Sequence, residues 1–402
     1  MTSKPLTILF LVESAHEQGT YFRWHNLAIG LQAMGHTVTV YAVDWNRHSA
    51  NRTEYKDGIK YCFTRAYRGF SLFTPSTNPF MLLRRFTLDY PRCDVVHSFQ
   101  PFPASAYLGW YLKKTGRASY FFYDWDDLWV GGLLKKPLTR LLDKVTYPLV
   151  RHIEKRFPAR ADFVTTCSTY LRQLAVQSGA KNTSIIHNGF WPFSVPDKQQ
   201  ARATLGLQPD VFYIGFMGRT SSELSWCVAA QQALVAQNLP RPVRLVLCGM
   251  PDFLLDEFSA EQKETIDYLG YLSPLDCRLF AAAIDVGLLP LQDDAFNQSR
   301  FPIKFAEYQA SGTPVVHSEI GECNELSKQF SWNVKAGTTK QQFIDATVMA
   351  VCEKITGERN EPVDRDKLAS ALSWTLLAQQ LAAEYSRVVG RKLPETQPHL
   401  QP

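Results

Sequence analysis

The sequence predicts an α/β protein built from two doubly wound parallel-sheet, Rossmann-like domains. Three observations predict it. Short apolar runs without polar alternation recur along the chain, such as LTILFLVES (6–14), CDVVHSFQP (93–101), VFYIGFMGR (211–219) and VRLVLCGMPD (243–252). Strands buried on both faces by helices read this way. Segments of helical periodicity separate the runs, and strand–helix–strand alternation specifies right-handed parallel crossovers. Finally, 402 residues with 45% hydrophobic and 20% charged content suffice for two cores of ordinary size.

Taken in order, LTILFLVES is the first strand. The polar loop AHEQGTYFR follows, then a helix through Leu27, Leu31 and Met34 that stops at Gly35, and HTVTVYAVD (36–44) is the second strand. The loop lies at the carboxyl end of the first strand, where open α/β sheets bind ligands. It makes His16, Glu17 and Gly19 candidates for ligand contact, against the plainer reading of a solvated loop. It carries no GxGxxG, so no nicotinamide or flavin cofactor is indicated. In the run 93–101, His97 either points into a cleft or, the reading preferred, is a hydrogen-bonded structural histidine. ASYFFYDWDDLW (118–129) is a strand emptying into Asp124, Asp126 and Asp127. Carboxylates crowded there are costly unless paired, hydrated or functional.

Residues 131–160 interleave lysine and arginine with leucine and valine, and Pro137 and Pro148 interrupt the segment. With LLRRF (82–86) it is either a surface for an anionic membrane or a helix pair with a solvated basic face. ADFVTTCS (161–168) and TSIIHNGF (183–190) are further strands, and the proline-bearing WPFSVPDKQQ (191–200) is an interdomain crossing. The second half repeats the pattern. A strand at 211–219 leads to a helix through Ala229–Ala236, and 243–252 is the next strand. A short strand DYLGYLS (267–273) precedes a helix through Leu279–Ala283 and the strand DVGLLPL (285–291). A last long helix is expected at about 366–390, followed by a polar, proline-bearing tail from 391 to 402.

The stretch FPIKFAEYQASGTPVV (301–316) organises the chain. Pro302 suits a first helical position, Gly312 a left-handed helix stop, and Pro314 forbids continuation. Lys304 and Glu307 share a helix face with Tyr308 beside them. A helix N-terminus bearing a lysine is an anion site, and a carboxylate one turn on can accept hydrogen bonds from hydroxyls. Anion plus vicinal hydroxyls describes a nucleotide; an ordinary i,i+3 ion pair on a surface helix is the plainer reading.

Composition excludes other classes. A net charge of +5 lacks the dense basic patch of a nucleic-acid binder and is compatible with a phosphorylated ligand or anionic lipid. The eight cysteines form no CxxC and no Cys/His cluster, which argues against zinc and for a reducing compartment. No run approaches a membrane span, and the apolar start is too short for a signal core. A soluble, cytoplasmic protein is the expectation.

Six motifs in order then resemble the C-terminal domain of the retaining GT-B glycosyltransferases of family 4 (glycosyl transferases group 1). They are HNGF (187–190), GFMGR (215–219), LVLCG (245–249), YLGYLSPLD (268–276), DVGLLPL (285–291) and PIKFAEYQASGTPVV (302–316). SWTLLAQQLAAEY (373–385) resembles the closing helix, and GHTVTV (35–40) and DVVHSF (94–99) carry the weaker likeness of the first half. The resemblance implies two Rossmann-like domains facing across a cleft. An acceptor-binding domain would span 1–192, a nucleotide-sugar-binding domain 193–372, and a helix returning to the first domain 373–390.

It also implies roles. Glu307 corresponds to the glutamate that binds ribose hydroxyls, Arg219 to the basic residue on the donor diphosphate, and Lys304 to a phosphate-binding lysine of a PxKxxEY subgroup. Gly270, Tyr271 and Leu272 correspond to the backbone that reads the nucleobase, with Gly218, Gly249 and Ile303 completing the donor set. Asp124 falls near a histidine that touches sugar or acceptor, and His16, Glu17, Gly19, Asp124 and Asp126 form the expected acceptor side. Arg219, Lys304 and Asp124 are the expected catalytic set.

The sequence departs from the family at Ser299, where a second acid would grip the donor sugar, and at SSELS (221–225), which lacks a usual lysine. The implied function is retaining, metal-independent transfer of a hexosyl group from a nucleotide-diphosphate sugar to a sugar or lipid-linked acceptor hydroxyl, with no cofactor, in cell-surface polysaccharide or glycolipid synthesis. The protein would then work at the cytoplasmic face of a membrane. Asp124–Trp125–Asp126 is also a DxD, which leaves open a metal-dependent glycosyltransferase. A nucleotide-sugar-binding protein or epimerase on the same fold is the other alternative.

Overall fold

A computed structural model describes residues 4–13, 15, 19–45, 50–65, 77–134, 141–218 and 221–390. Within them the chain divides into two compact units, one of residues 1–187 and 374–402, the other of 188–373.

The first unit holds strands β1 (Thr7–Leu11), β2 (Thr37–Asp44), β3 (Arg52–Lys56), β4 (Ile59–Arg65), β5 (Cys93–Phe99), β6 (Ala118–Trp125), β7 (Phe163–Thr166) and β8 (Thr183–Ile185). They form one sheet in the order β3-β4-β2-β1-β5-β6-β7-β8. Every pairing is parallel except the β3–β4 hairpin. Ile8 pairs with Val38 on one side and Val95 on the other, so the order reverses at β1, where such sheets open to ligands. The helix Tyr21–Ala33 follows β1, and the turn after it uses Gly35 at φ +88°, a left-handed conformation that favours glycine.

The hairpin β3–β4 has no counterpart in the sequence reading. β3 is an edge strand, with Thr53 to Lys56 all exposed, and edge strands lack the apolar run by which buried strands are recognised. The segment with Pro148 also differs. Leu141–Arg156 is one helix with Pro148 inside it, while Pro137 lies outside the described residues.

The second unit holds β9 (Phe212–Met217), β10 (Val243–Cys248), β11 (Ile266–Tyr268), β12 (Val286–Leu289), β13 (Val315–Ser318) and β14 (Val334–Ala336). Their order is β11-β10-β9-β12-β13-β14, parallel throughout. Its core gathers Ile214, Phe216, Leu245, Leu247, Leu288 and Val316 with Phe343 and Val351 from the helix Lys340–Thr356.

The expected single helix at 366–390 is two, Arg365–Leu372 and Trp374–Val389. Ser373 between them is extended, with φ −72° and ψ 140°. In the second unit the Phe190 N–H donates to the Leu372 carbonyl at 3.0 Å, taking an acceptor that a continuous helix would use. The helix Trp374–Val389 belongs to the first unit. There it lies against Tyr21–Ala33 so closely that a Cβ on Gly30 would stand 2.4 Å from Ala378 Cβ.

Candidate functional site

In the second unit the site residues stand at the carboxyl ends of β9 and β10. The Gly218 N–H donates to the Cys248 carbonyl at 3.0 Å, and the Gly249 N–H to the Gly270 carbonyl at 2.8 Å. Gly249 and Gly270 both adopt positive φ, +79° and +65°, so three glycines line adjoining strand ends. Tyr271 beyond them is exposed and Leu272 half-buried.

The helix Ile303–Ala310 carries the side chains to these glycines. Pro302 is its cap, one position earlier than the first helical turn expected, and offers no side-chain hydrogen bond to the free N–H groups. Asn188, from HNGF, donates to the Phe301 carbonyl at 3.1 Å and so fixes the entry to this helix. Buried Tyr308 anchors its other face. Its hydroxyl accepts the Met217 N–H at 2.8 Å, and its ring fills the space where a Cβ on Gly287 would lie, 2.7 Å away. Gly312 ends the helix region at φ +80°.

Lys304 and Glu307 are half-buried on the remaining face. No ion pair joins them among the described residues, so the surface ion-pair reading is not met. Lys304 Nζ would stand 2.6 Å from a Cβ on Gly218 and lies 5.5 Å from the Phe216 ring centroid. Burial, and then the nearby Arg300 charge, bring its ammonium down to about 8, although Glu223 and Glu307 oppose this. Burial raises the Glu307 carboxyl, opposed by Lys304 and Arg278. The ammonium thus meets the strand end at Gly218, and neither it nor the Glu307 carboxylate one turn on has a hydrogen bond of its own among the described residues, which suits an anion beside a donor of hydroxyl groups.

Arg300 was not singled out in the sequence. It pairs with Glu223, at 3.0 Å, from the helix Ser221–Val235. The signal available was a cation two residues before Pro302, at the entrance to a helix already read as an anion site. Ser299, at the position of the missing acid, is fully buried and donates its hydroxyl to the Phe296 carbonyl at 2.7 Å. Arg219 lies outside the described residues.

In the first unit the expected acceptor residues divide. His16 and Glu17 lie outside the described residues, and Gly19 is exposed at φ +57° just before the helix Tyr21–Ala33. Asp124 does not face a ligand, which corrects the role expected of it. It is fully buried, and both oxygens meet Arg23, Nε to Oδ1 and Nη2 to Oδ2, each at 2.9 Å. Oδ2 also accepts the Thr165 hydroxyl at 2.5 Å. Arg23 spends its third nitrogen on the Ile186 and His187 carbonyls at 2.6 and 3.2 Å. A charge taken so far from water is kept only with a fitted partner.

His97 continues this network as the structural histidine expected. Its Nε2 is 3.1 Å from Thr165 Oγ1 and its Nδ1 2.6 Å from the Tyr385 hydroxyl. Burial pushes its imidazole down to about 3. Arg23 was legible as a cation four residues before Leu27, on the helix face that packs inward. Asp126 is buried too, and its Oδ1 has no hydrogen-bond partner. Burial, with Asp127 and Asp124 nearby, pushes its carboxyl well above the carboxylate range. Among the described residues no helix is long and apolar enough to cross a membrane, and no group of three acidic, histidine or cysteine side chains could hold a metal.

Comparison with known proteins gives concordant results for both units. Residues 19–190 match Glycosyltransferase Family 4, and residues 208–352 match Glycosyl transferases group 1. The chain is 24% identical over 301 residues to the putative teichuronic acid biosynthesis glycosyltransferase TuaH of Bacillus subtilis, covering 72% of this chain and 71% of that one. A D-inositol 3-phosphate glycosyltransferase of Mycobacterium marinum is 25% identical over 212 residues, 49% of this chain and 43% of that protein. Among solved structures, sucrose-phosphate synthase from Thermosynechococcus elongatus superposes with a TM-score of 0.67 at 16% identity, covering 96% of this chain and all (100%) of that one. Anabaena HepE in complex with UDP-glucose gives 0.63 at 16% identity, covering 95% and 100%. These likenesses are to the two-domain GT-B fold.

Proposed function

The chain is a family 4, group 1 glycosyltransferase, and from that premise we propose that it is a retaining enzyme that works without a divalent metal or cofactor. The donor is a nucleotide-diphosphate sugar and the acceptor a hydroxyl of a growing cell-surface polysaccharide or glycolipid. The observation that carries this reading is the Lys304 ammonium, half-buried beside Gly218 with no hydrogen bond of its own among the described residues.

The diphosphate would lie against Gly218, Lys304 and the free N–H groups of the helix Ile303–Ala310, with Arg219 as a further cation. The Glu307 carboxylate would accept hydrogen bonds from the ribose, and Gly270 to Leu272 would border the base. As the bond from the anomeric carbon to the diphosphate oxygen breaks, negative charge builds on the leaving group, and preformed cations stabilise it. The acceptor oxygen bonds to the anomeric carbon on the face the diphosphate leaves. A diphosphate oxygen takes the hydroxyl proton, so no protein base is needed.

Asp124 weighs against the DxD reading. Its oxygens are already committed to Arg23 and Thr165, so Asp124 and Asp126 do not form a free chelating pair. TuaH, by its name a putative teichuronic acid biosynthesis glycosyltransferase, supports a polysaccharide setting. Contact with an anionic membrane surface is part of the proposal. It is supported by exposed Lys144, Arg151, Lys155, Arg156 and Arg160, and by exposed Phe80 and Leu83.

The test is a thermal-shift screen of uridine, guanosine and adenosine diphosphate sugars in EDTA, followed by product analysis. One donor class should stabilise the protein, by about 2.7 kcal/mol at a hundred times its dissociation constant, and transfer should preserve the anomeric configuration. Activity lost in EDTA and restored by manganese, or an inverted product, would overturn the mechanism.

A further inference from the structure

In the second unit the two edges of β9 are paired to different depths. Its pairing with β10 runs to the last residue, Met217 opposite Cys248, and the Gly218 N–H still reaches the Cys248 carbonyl. Its pairing with β12 ends earlier, at Gly215 opposite Gly287. Along β9 the even-numbered N–H groups point to the β10 side, as the bonds from Phe212 to the Pro242 carbonyl and from Gly218 to the Cys248 carbonyl show. The odd-numbered groups point to β12. A continued ladder would therefore give the Met217 N–H to a β12 carbonyl.

The Tyr308 hydroxyl takes that N–H instead, at 2.8 Å. Tyr308 is fully buried, and its ring has room because β12 carries a glycine at 287. Burial pushes the phenol well above its ordinary value, so the hydroxyl stays neutral. The strand order reverses at β9, with β10 on one side and β12 on the other, and open α/β sheets bind ligands in the crevice at such a reversal. The phenol holds β9 and β12 apart there while the Met217 N–H stays paired, which avoids the cost of a buried donor left alone.

One turn earlier the same helix carries Lys304, whose Nζ would stand 2.6 Å from a Cβ on Gly218. Met217 and Gly218 are consecutive, so hydroxyl and ammonium meet neighbouring residues of one strand end. A helix fastened at the Met217 N–H has its ammonium fixed at Gly218.

We propose that Tyr308 is a positioning residue of the anion site. Its hydroxyl stands in for a β12 carbonyl, keeps the β9–β12 crevice open and sets the Lys304 ammonium against Gly218. The proposal rests on the donor-site reading above and adds to it the group that holds the cation in place.

Tyr308→Phe keeps the ring and removes only the oxygen. Two measurements on the full chain read the effect: NMR titration of isotope-labelled lysine side chains, with Lys304→Arg identifying the signal, and calorimetric binding of inorganic pyrophosphate at neutral pH. Among the described residues, Arg300, Glu223, Glu307, Cys227, Cys248 and Cys277 are the charged and titratable groups facing Lys304, and the substitution alters none of them. Lys304 should titrate near 8 in the native protein. In Tyr308→Phe the titration should move toward the ordinary lysine value of about 10.4, and pyrophosphate should bind about tenfold more weakly, the loss of one charge-assisted hydrogen bond. Gly287→Ala, which crowds the same ring, should move the titration the same way. Val351→Ala, in the core on the helix Lys340–Thr356, lowers stability away from the site and should leave both readings at native values. A Lys304 titration unmoved in Tyr308→Phe, an equal movement in Val351→Ala, or pyrophosphate bound by the native protein and by Tyr308→Phe with equal affinity would overturn the proposal. A titration that moves while neither protein binds pyrophosphate would retain the positioning role and refute the donor reading, so the two failures are distinguishable.

Discussion

Replacing Lys304 by alanine tests the donor site most directly, and its pH dependence gives a second, independent measure. The ammonium is held at about 8, by burial first and by the Arg300 charge second. A diphosphate binds the protonated form, so donor affinity is full below that value and is lost as pH rises through it. From pH 7 to pH 9 the charged fraction falls from about nine-tenths to one-tenth, so the affinity of the free enzyme should fall about tenfold. The diphosphate of a nucleotide sugar has no group that titrates in this range. Calorimetric titration across that interval reads the effect, and Lys304→Arg should abolish the slope because guanidinium stays charged. Loss of one such donor at a developing anion costs about 2–4 kcal/mol, so Lys304→Ala should lower kcat/KM by roughly 30- to 900-fold. A flat affinity profile, together with near-normal turnover of the alanine variant, would refute the reasoning.

Three further outcomes follow from the same geometry. Arg300→Gln removes the charge that disfavours the Lys304 ammonium and frees Glu223 to favour it, so the fall in donor affinity should begin at higher pH; an unmoved midpoint in the same titration would contradict this. Arg23→Met strands the Asp124 carboxylate away from water and should cost about 3–5 kcal/mol in urea unfolding, much of it recovered in the double variant Arg23→Met/Asp124→Leu; no recovery would mean the guanidinium acts through its carbonyl contacts instead. Gly30→Ala drives a methyl into Ala378 and should cost about 1–3 kcal/mol, with Ala378→Gly restoring stability in the pair; additive losses would deny the close approach.

The buried strands were legible because sheets covered by helices need unbroken apolar runs. β1, β5, β9 and β10 all sit within the segments expected. The hairpin β3–β4 was not legible, since RTEYK at an edge resembles any polar loop, and β14 has only three residues. The break at Ser373 was hidden because apolar spacing continues through it, from Leu368 and Leu372 to Leu377 and Leu381. That Lys304 and Glu307 share one face of a short helix could be read, because a proline start and an i,i+3 spacing fix that face. Asp124 misled because a strand end names a place in the sheet without saying whether the side chain turns outward. Its partner Arg23 is 101 residues away in sequence.

Because residues 188–373 interrupt the first unit, the ribosome finishes the second unit's chain before it releases the helix that completes the first. Until Trp374–Val389 emerges, the Gly30 groove stands open to water and His97 lacks the Tyr385 hydroxyl. Order of synthesis and order of maturation are therefore reversed: the lobe begun first is the last to be sealed. A nascent chain stalled before residue 374 should accordingly be cut by protease within its amino-terminal half while its later half resists.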